Sequence, residues 1–413
     1  MPTPSLLIVP ARFKSGKLYS QIPTSGAGDF TVTRATAATR VNASGFIESV
    51  ASGIPRLDYF ASGGTVGCPA LLVEPSGSNL ALQSENFGTT WNPANMLAFG
   101  SGSVLNTTAT LDPYGTNVAD FIVGNTTVGQ HRFDQTTTSV SGSYTLSVFV
   151  KAGGYSFTRL RIGLAGAVFD LSSGVVVTTD AGITSSIQSF GNGWFRCIIG
   201  KAASAANEII RINMQPTSST ADFAGDGTSG IYVFGAQYET GSVATSYIPT
   251  TTGSVTRNAD VVLVTGAVSG SIGQTQGTIY AEVDARNFTV NSRLISISNG
   301  TQSNRITTLF FGTNVIRLLA TVGGLGQVAI NSSSLSAGII KFAIGYALND
   351  YAFYVNGVQV GTSSSALVPA CNAVILGSVD SLTGSSVMND RIRAAALYTT
   401  RLTNAELAAL TTP

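Results

Sequence analysis

Apolar residues in this chain recur at every second position far more often than at every third or fourth. That is the period of a half-buried strand, not of a helix. In the run from Tyr144 to Val150, the residues Tyr144, Leu146, Val148 and Val150 share one face. The run from Thr278 to Asp284 turns Ile279, Ala281 and Val283 inward, which leaves Glu282 and Asp284 together on a solvent-facing side. Trp194 to Ile199 and Gly230 to Phe234 add two more strands. Tyr351–Val355 meets Val358–Val360 across Asn356-Gly357, a pair that tolerates positive φ at both positions and so predicts a type I′ hairpin. Gly153-Gly154 predicts another hairpin, leading into a strand from Tyr155 to Ile162, and Ala167–Phe169 and Gly174–Val177 bracket a further turn. One helix is expected, roughly Asn404 to Leu410. Thr403 and Glu406 form a capping box ahead of it, and Leu402 and Leu407 stand at the staple positions. A helix this short survives only by packing on a sheet.

The pattern predicts an all-β chain in three parts. Residues 1–85 are irregular and turn-rich, with apolar pieces only at Leu6–Val9 and Ala70–Val73, too little for a core of their own. They are expected to wrap on the next domain or on a partner. Residues 86–250 read as a jelly roll or sandwich of short strands, and residues 258–413 as a second β-sandwich closed by the short C-terminal helix. The Thr-, Ser- and Gly-rich stretch 241–258 is the expected boundary between the two. No period of 20–50 residues repeats, so a solenoid is not expected.

Composition sharpens this reading. Charged residues are 10% of the 413, against roughly 25% in an ordinary soluble domain, while hydrophobic residues reach 44% and glycines number 46. A core is affordable, global disorder is excluded, and solubility rests on hydroxyls and backbone amides. Lys and Arg total 22 against 21 Asp and Glu, a net charge of +1, which argues against a nucleic-acid partner. One His and three Cys exclude most zinc centres and most His-based catalysis. The cysteines, Cys68, Cys197 and Cys371, are far apart and odd in number, and read as free, buried, small apolar residues. Mean hydropathy is +0.28, yet no stretch of 18 apolar residues exists. The best candidate, Val315 to Ile330, is broken by Arg317, Gln327 and three glycines, so no membrane insertion is expected. The first residues carry no cationic region and do not read as a secretory signal.

Three sets of residues together carry a resemblance. The first is Thr31 to Thr39 with Arg34, Gly53 to Tyr59 with Arg56 and Asp58, and Leu71 to Phe87 with Glu74, Asn79 and Ser84. The second is Val148 to Gly153, Asn192 to Cys197 with Trp194 and Arg196, and Gly225 to Pro249 with Asp226, Gln237, Glu239 and Tyr247. The third is Lys341 to Tyr346, Tyr354 to Gly357, and Asp390 to Leu407. The first two sets resemble fibre, spike and tail-associated adhesion proteins of tailed bacteriophages, with a central module like a carbohydrate-binding-module jelly roll. The third resembles the concanavalin A-like, laminin-G-type lectin sandwich. The resemblance implies a structural protein of the virion, made in the host bacterial cytoplasm. It further implies docking on capsid, portal or tail proteins through residues 1–85, a homotrimer, and binding to host cell-surface glycan. A sandwich fold by itself fixes no function.

The residues offer little bond-breaking chemistry. No nucleophile elbow, P-loop or HExxH pattern is present, and His131 has no Cys or Ser partner nearby and reads as a surface or hydrogen-bonded residue. The carboxylate pairs open to a glycosidase are Asp222/Asp226 and Glu282/Asp284. Asp226 lies between two glycines, where a turn is the simpler reading. A weak structural calcium loop from Asp222 and Asp226 is the other reading. Sugar recognition asks for an aromatic face flanked by hydrogen-bonding groups. Tyr155, Phe157, Arg159 and Arg161 form such a stripe, because Leu160 and Ile162 mark the opposite side as core. The same stripe suits a subunit interface, where aromatics and Arg are also enriched. Trp91 and Trp194 read as core fillers. The expectation is therefore a non-enzymatic adhesion protein, with a polysaccharide depolymerase and a purely structural capsid or tail component as the rivals.

Overall fold

Alternation becomes a pleated layer wherever one side of a strand finds cover, and here it does so in two stacks. A computed structural model describes residues 2–60, 66–378 and 386–413. Every strand pair among them that belongs to a sheet is antiparallel, and the one α-helix is Asn404–Thr411.

The middle sandwich has a six-stranded sheet in the order Asn92–Ala94, His131–Thr136, Ile209–Gln215, Phe157–Ile162, Ala165–Asp170, Val175–Thr179. It faces a five-stranded sheet in the order Asp120–Val123, Gly230–Thr240, Gly142–Gly153, Trp194–Ser204, Ile183–Ser189. Leu146, Val148, Val150, Leu160, Ile162, Cys197, Ile199, Ile210 and Ile212 fill the space between them and are fully buried. Each such side chain contributes about 1.5–3 kcal/mol by leaving water.

The second sandwich is larger and draws on both ends of the chain. One sheet runs Val358–Ser363, Asp350–Val355, Gly338–Ala347, Gln276–Ala285, Asp390–Tyr398, Val66–Val73, Leu57–Phe60, with Leu6–Ile8 also paired to Asp390–Tyr398. The other has nine strands and begins with Phe13–Lys14, Lys17–Leu18 and Phe30–Thr33, which lead into Val261–Thr265. Residues 1–85, expected as a separate segment, therefore supply strands to both sheets of the sandwich at 258–413. The reason is the apolar ledger. Leu6, Ile8, Leu18, Phe30, Val32, Leu57, Leu71 and Val73 are too few to form a core, and they share one with Ile279, Val283, Ile344 and Phe353. The stretch expected as a linker is knitted in as well: Val255–Arg257 pairs with Gly77–Asn79, and Thr245 and Tyr247 are buried.

Several local expectations hold. Ile279, Ala281 and Val283 are inward, Asn356 and Gly357 have φ of 48° and 81°, and Thr403 and Glu406 close the capping box. Leu402 and Leu407 pin the helix onto Tyr280, Tyr354 and Tyr398 on the outer face of the eight-stranded sheet. Trp91 and Trp194 are each 2% exposed, with their indole N–H groups on the Gln83 and Leu111 carbonyls. Others fail. Gly153-Gly154 makes no hairpin, because Gly142–Gly153 and Phe157–Ile162 lie in opposite sheets. The glycines let the chain cross between sheets: a Cβ on Gly153 would sit 2.6 Å from the Phe121 ring, and Gly154 has φ +115° and bridges Gly230. Cys197 and Cys371 are free and buried, but Cys68 is exposed. Asp284 is not solvent-facing. It is buried against Arg286, which forks onto it at 2.8–3.1 Å.

Candidate functional site

The strand Phe157–Ile162 alternates as its sequence requires, with Thr158, Leu160 and Ile162 buried and Phe157, Arg159 and Arg161 half-buried on the outer face of the six-stranded sheet. Tyr155 does not join them. It precedes the strand, just after the left-handed Gly154, and that twist carries its ring inward to 8% exposure, edge-on to Phe223 at 5.3 Å. The remaining stripe is reinforced by neighbours that alternation within one strand could not reveal. Phe157 lies across from Gln215, Arg159 across from Asn213, and Arg161 across from Arg211. Arg159 pairs with Asp180 at 2.6 Å, and Arg211 with Asp134 at 3.6 Å. The Gln130 Oε1 carbonyl gathers Arg132, Arg161 and Asn213 at 3.3–3.4 Å. Burial, together with the guanidinium groups of Arg159, Arg211 and Arg132, pulls Arg161 below its ordinary value. Under this cationic patch three buried polar atoms have no partner among the described residues: Asn213 Oδ1, Gln215 Oε1 and Arg159 Nε.

The other candidates scatter. Asp226 spends its carboxylate on the Ser229 hydroxyl and on the Thr228 and Ser229 amides, which hold it well below the usual carboxylate range. That is the turn reading. Asp222 is exposed, and no cluster of three His, Cys, Asp or Glu side chains suited to a metal occurs among the described residues. His131 is fully buried, 2.9 Å from the Asn125 carbonyl and tilted by 33° against the Phe223 ring at 4.2 Å. Glu282 and Asp284 are ion-paired with Arg393 and Arg286.

Arg34, Arg56 and Glu74, three of the residues that carried the resemblance, come together at the joint between the two sandwiches with Asp260 and Arg257, which the sequence reading did not single out. Arg34 and Arg56 both bind Asp260, Arg56 also binds Glu74 at 2.6 Å, and Arg257 stands 3.5 Å from Glu74. Ser246 donates its N–H and hydroxyl to Glu74, both at 2.7 Å. Burial alone would raise Glu74, but Arg56 and Arg257 hold it well below the usual carboxylate range. Arg34, Arg56 and Arg257 are at most 3% exposed.

Beside this joint lies a cleft of about 300 Å³. One wall is the outer face of the five-stranded sheet, with Ser186, Gln188, Phe149 and Arg196. The facing wall belongs to the second sandwich, with Phe60, Arg286, Asn287, Asn389 and Arg391. Phe60 crosses the gap to Phe190 at 4.9 Å, and Arg286 and Arg391 lie over its ring at 5.1 and 5.3 Å. Asp58 and Glu74, the two acids that line the cleft, are paired with Arg391 and Arg56. The sequence reading missed this cleft. Its walls come from residues at least 89 positions apart, and Arg196 sits in a strand covered on both faces, where alternation is lost. The one usable signal was an Arg in the apolar run Trp194 to Ile199.

No protein-family model matches the chain, and no curated protein matches it. Solved structures share parts of its shape at low similarity. The Ruminococcus gnavus IT-sialidase CBM40 matches 35% of this chain and 87% of its own at 17% identity and a TM-score of 0.31. Domain 4 of AbnA, a GH43 extracellular arabinanase from Geobacillus stearothermophilus, matches 42% and 84% at 12% identity and a TM-score of 0.31. A putative carbohydrate binding protein from Bacteroides ovatus matches 69% and 80% at 12% identity and a TM-score of 0.29. Scores this low carry no argument about what this chain binds.

Proposed function

We propose that this chain is a non-enzymatic adhesion protein of a tailed-phage virion that binds host-surface glycan through the outer face of its six-stranded sheet. One observation carries the glycan reading. Phe157, Arg159 and Arg161 stand half-buried in one row on the outer face of the sheet, where a ring and two guanidinium groups are presented together. An aromatic ring beside guanidinium groups is what a pyranose needs: an apolar face to stack and donors to place its hydroxyls. Support for the non-enzymatic part is that Asp58 and Glu74 are each locked to an arginine, whereas glycoside hydrolysis wants two carboxyls free to exchange protons across a cleft. The virion part rests on the sequence resemblance. Docking through residues 1–85 then makes the second sandwich the particle-facing end, since that is where those strands lie, and the middle sandwich the projecting one. Weak single sites would be multiplied by trimerisation.

The test is binding of the purified chain to host-surface polysaccharide, with light scattering for its mass. Phe157→Ala is expected to weaken binding roughly three- to tenfold, the worth of one stacked ring, without release of reducing ends and with a mass three times 42.4 kDa. Reducing-end release would favour a depolymerase. A mass that falls on Phe157→Ala, with glycan binding absent throughout, would make the stripe a subunit interface.

A further inference from the structure

The cleft between the sandwiches is chemically unfinished. Its floor is a row across three strands of the five-stranded sheet, in which Gln188 and Phe149 flank Arg196. Arg196 is 6% exposed. Among the described residues its one hydrogen bond goes to Ser147 Oγ at 2.9 Å, and its buried Nε has no partner. Among the described residues no carboxylate lies within 4.0 Å of it. The acids whose charge it feels are spent: Glu239 on Gln237 and Thr245, Glu74 on Arg56 and Ser246. A guanidinium taken out of water without a counter-charge is costly unless something supplies the acceptor.

We propose that this cleft is a second binding site, for a carboxylated sugar whose carboxylate sits on Arg196. A carboxylate is favoured over a phosphate or sulfate by charge count. Arg40, Arg286 and Arg391 are already committed to Glu48, Asp284 and Asp58, so among the described residues of its lining the cleft offers one cation without a carboxylate, and the planar fork of Arg fits one carboxylate. The remaining contacts suit hydroxyls. The side chains of Ser186 and Gln188 flank Arg196 and its neighbour Ile198 and make no hydrogen bond within the described residues, while Asn287 and Asn389 stand on the facing wall. A volume of about 300 Å³ is at the small end for ligand sites and fits one or two sugar rings. The carboxylate half of the proposal stands on Arg196 alone. That the rest of the ligand is a sugar rests on the glycan reading above.

The experiment is titration of the full chain with D-glucuronate, D-glucose, propanoate and sulfate, followed by saturation-transfer NMR and calorimetry. Glucuronate is expected to bind at least tenfold more tightly than each of the others. Arg196→Gln is expected to weaken it roughly 10- to 100-fold, the worth of charge-assisted hydrogen bonds. Ser186→Trp, at an exposed position in the cleft wall, is expected to block it without touching the guanidinium, and decides the matter if Arg196→Gln does not fold. Propanoate binding as well as glucuronate would remove the sugar and leave an anion site. Sulfate binding equally well would overturn the carboxylate class, and no binding of any probe would overturn the site. The outer-face reading is scored separately, by polysaccharide binding of Phe157→Ala, so its failure does not register as failure of the cleft.

Discussion

Two groups of arginines lie side by side at the junction of the sandwiches, and they differ in how completely they are used. At the joint, Asp260 takes Arg34 on Oδ1, and Arg56 and the Glu74 amide on Oδ2. Glu74 takes the Ser246 amide on Oε1, and Arg56 and the Ser246 hydroxyl on Oε2. Arg34 spends what remains on the carbonyls of Thr36, Ile54 and Ala51. In the cleft, Arg196 has one hydrogen bond and a buried donor left over. Both settings bury guanidinium groups. Only the first supplies them with carboxylates, which marks it as mortar between modules and the second as a surface waiting for an acceptor.

The sharpest way to break this contrast is to remove one member from each side. Arg56→Met leaves Glu74 and Asp260 buried without their shared partner and is expected to cost about 3–5 kcal/mol in denaturant unfolding. A loss under about 1 kcal/mol would mean that the joint is not what ties the sandwiches together.

Acid and base should separate the two regions next. Glu74 is depressed in the folded chain, so its contribution is fully present above its unfolded value near 4.5 and is lost as pH falls below it. Asp390 supports the cleft wall by accepting the Arg286 and Asn287 amides, yet burial pushes it up to about 7. Between its unfolded value of 3.8 and about 7 the folded chain holds a proton that the unfolded chain has lost. Stability contributed there is present at the acid end of that window and declines as pH rises through it. Asp390→Asn is expected to remove the decline between pH 4 and 7 and to leave the acid limb from Glu74 intact. Unfolding midpoints measured from pH 3 to 8 read both limbs, and an unchanged slope in the variant would reject the assignment to Asp390.

Much of this architecture was legible in the sequence and the junction was not, for a physical reason. Alternation at Ile279, Ala281 and Val283, positive φ at Asn356-Gly357 and the box at Thr403 and Glu406 are set within a few residues, and each appears as read. The joint pairs Arg34 with Asp260 across 226 positions and Arg56 with Asp260 across 204. The sequence could mark Arg34 and Arg56 as carriers of a resemblance, but it singled out neither Asp260 nor Arg257 and could not show that they meet. Tyr155 and Gly153-Gly154 failed locally, because a glycine that permits a hairpin equally permits a crossover between sheets. Arg196 was hidden by double burial: Cys197 and Ile199 face the sandwich core, while on the other face Trp194 packs with Phe149, Phe234 and Tyr247 and Arg196 lines the cleft.

A smaller effect tests the cleft from the stability side. Arg196→Gln gives up a hydrogen bond to Ser147 and the contact over the Phe149 ring at 5.4 Å, but it also relieves a buried charge. The terms oppose, so stability is expected to stay within about 1 kcal/mol of the parent. A loss as large as that of Arg56→Met would place Arg196 with the mortar.

The smallest stability effect belongs to the outer stripe. Arg159 and Asp180 are 24% and 36% exposed, so their ion pair works in a high dielectric and is screened by salt. Arg159→Ala is expected to cost less than about 1 kcal/mol, as exposed pairs do. Its value as a test lies in the mismatch between readouts. Asp180 keeps its hydrogen bond from the Gly166 amide at 2.8 Å, so the local turn is retained while the guanidinium is gone. Weaker polysaccharide binding, at unchanged melting temperature and unchanged mass, would assign Arg159 to glycan. Lost mass with the same melting temperature would assign it to a neighbouring subunit, and no change in either would leave the stripe as ordinary surface.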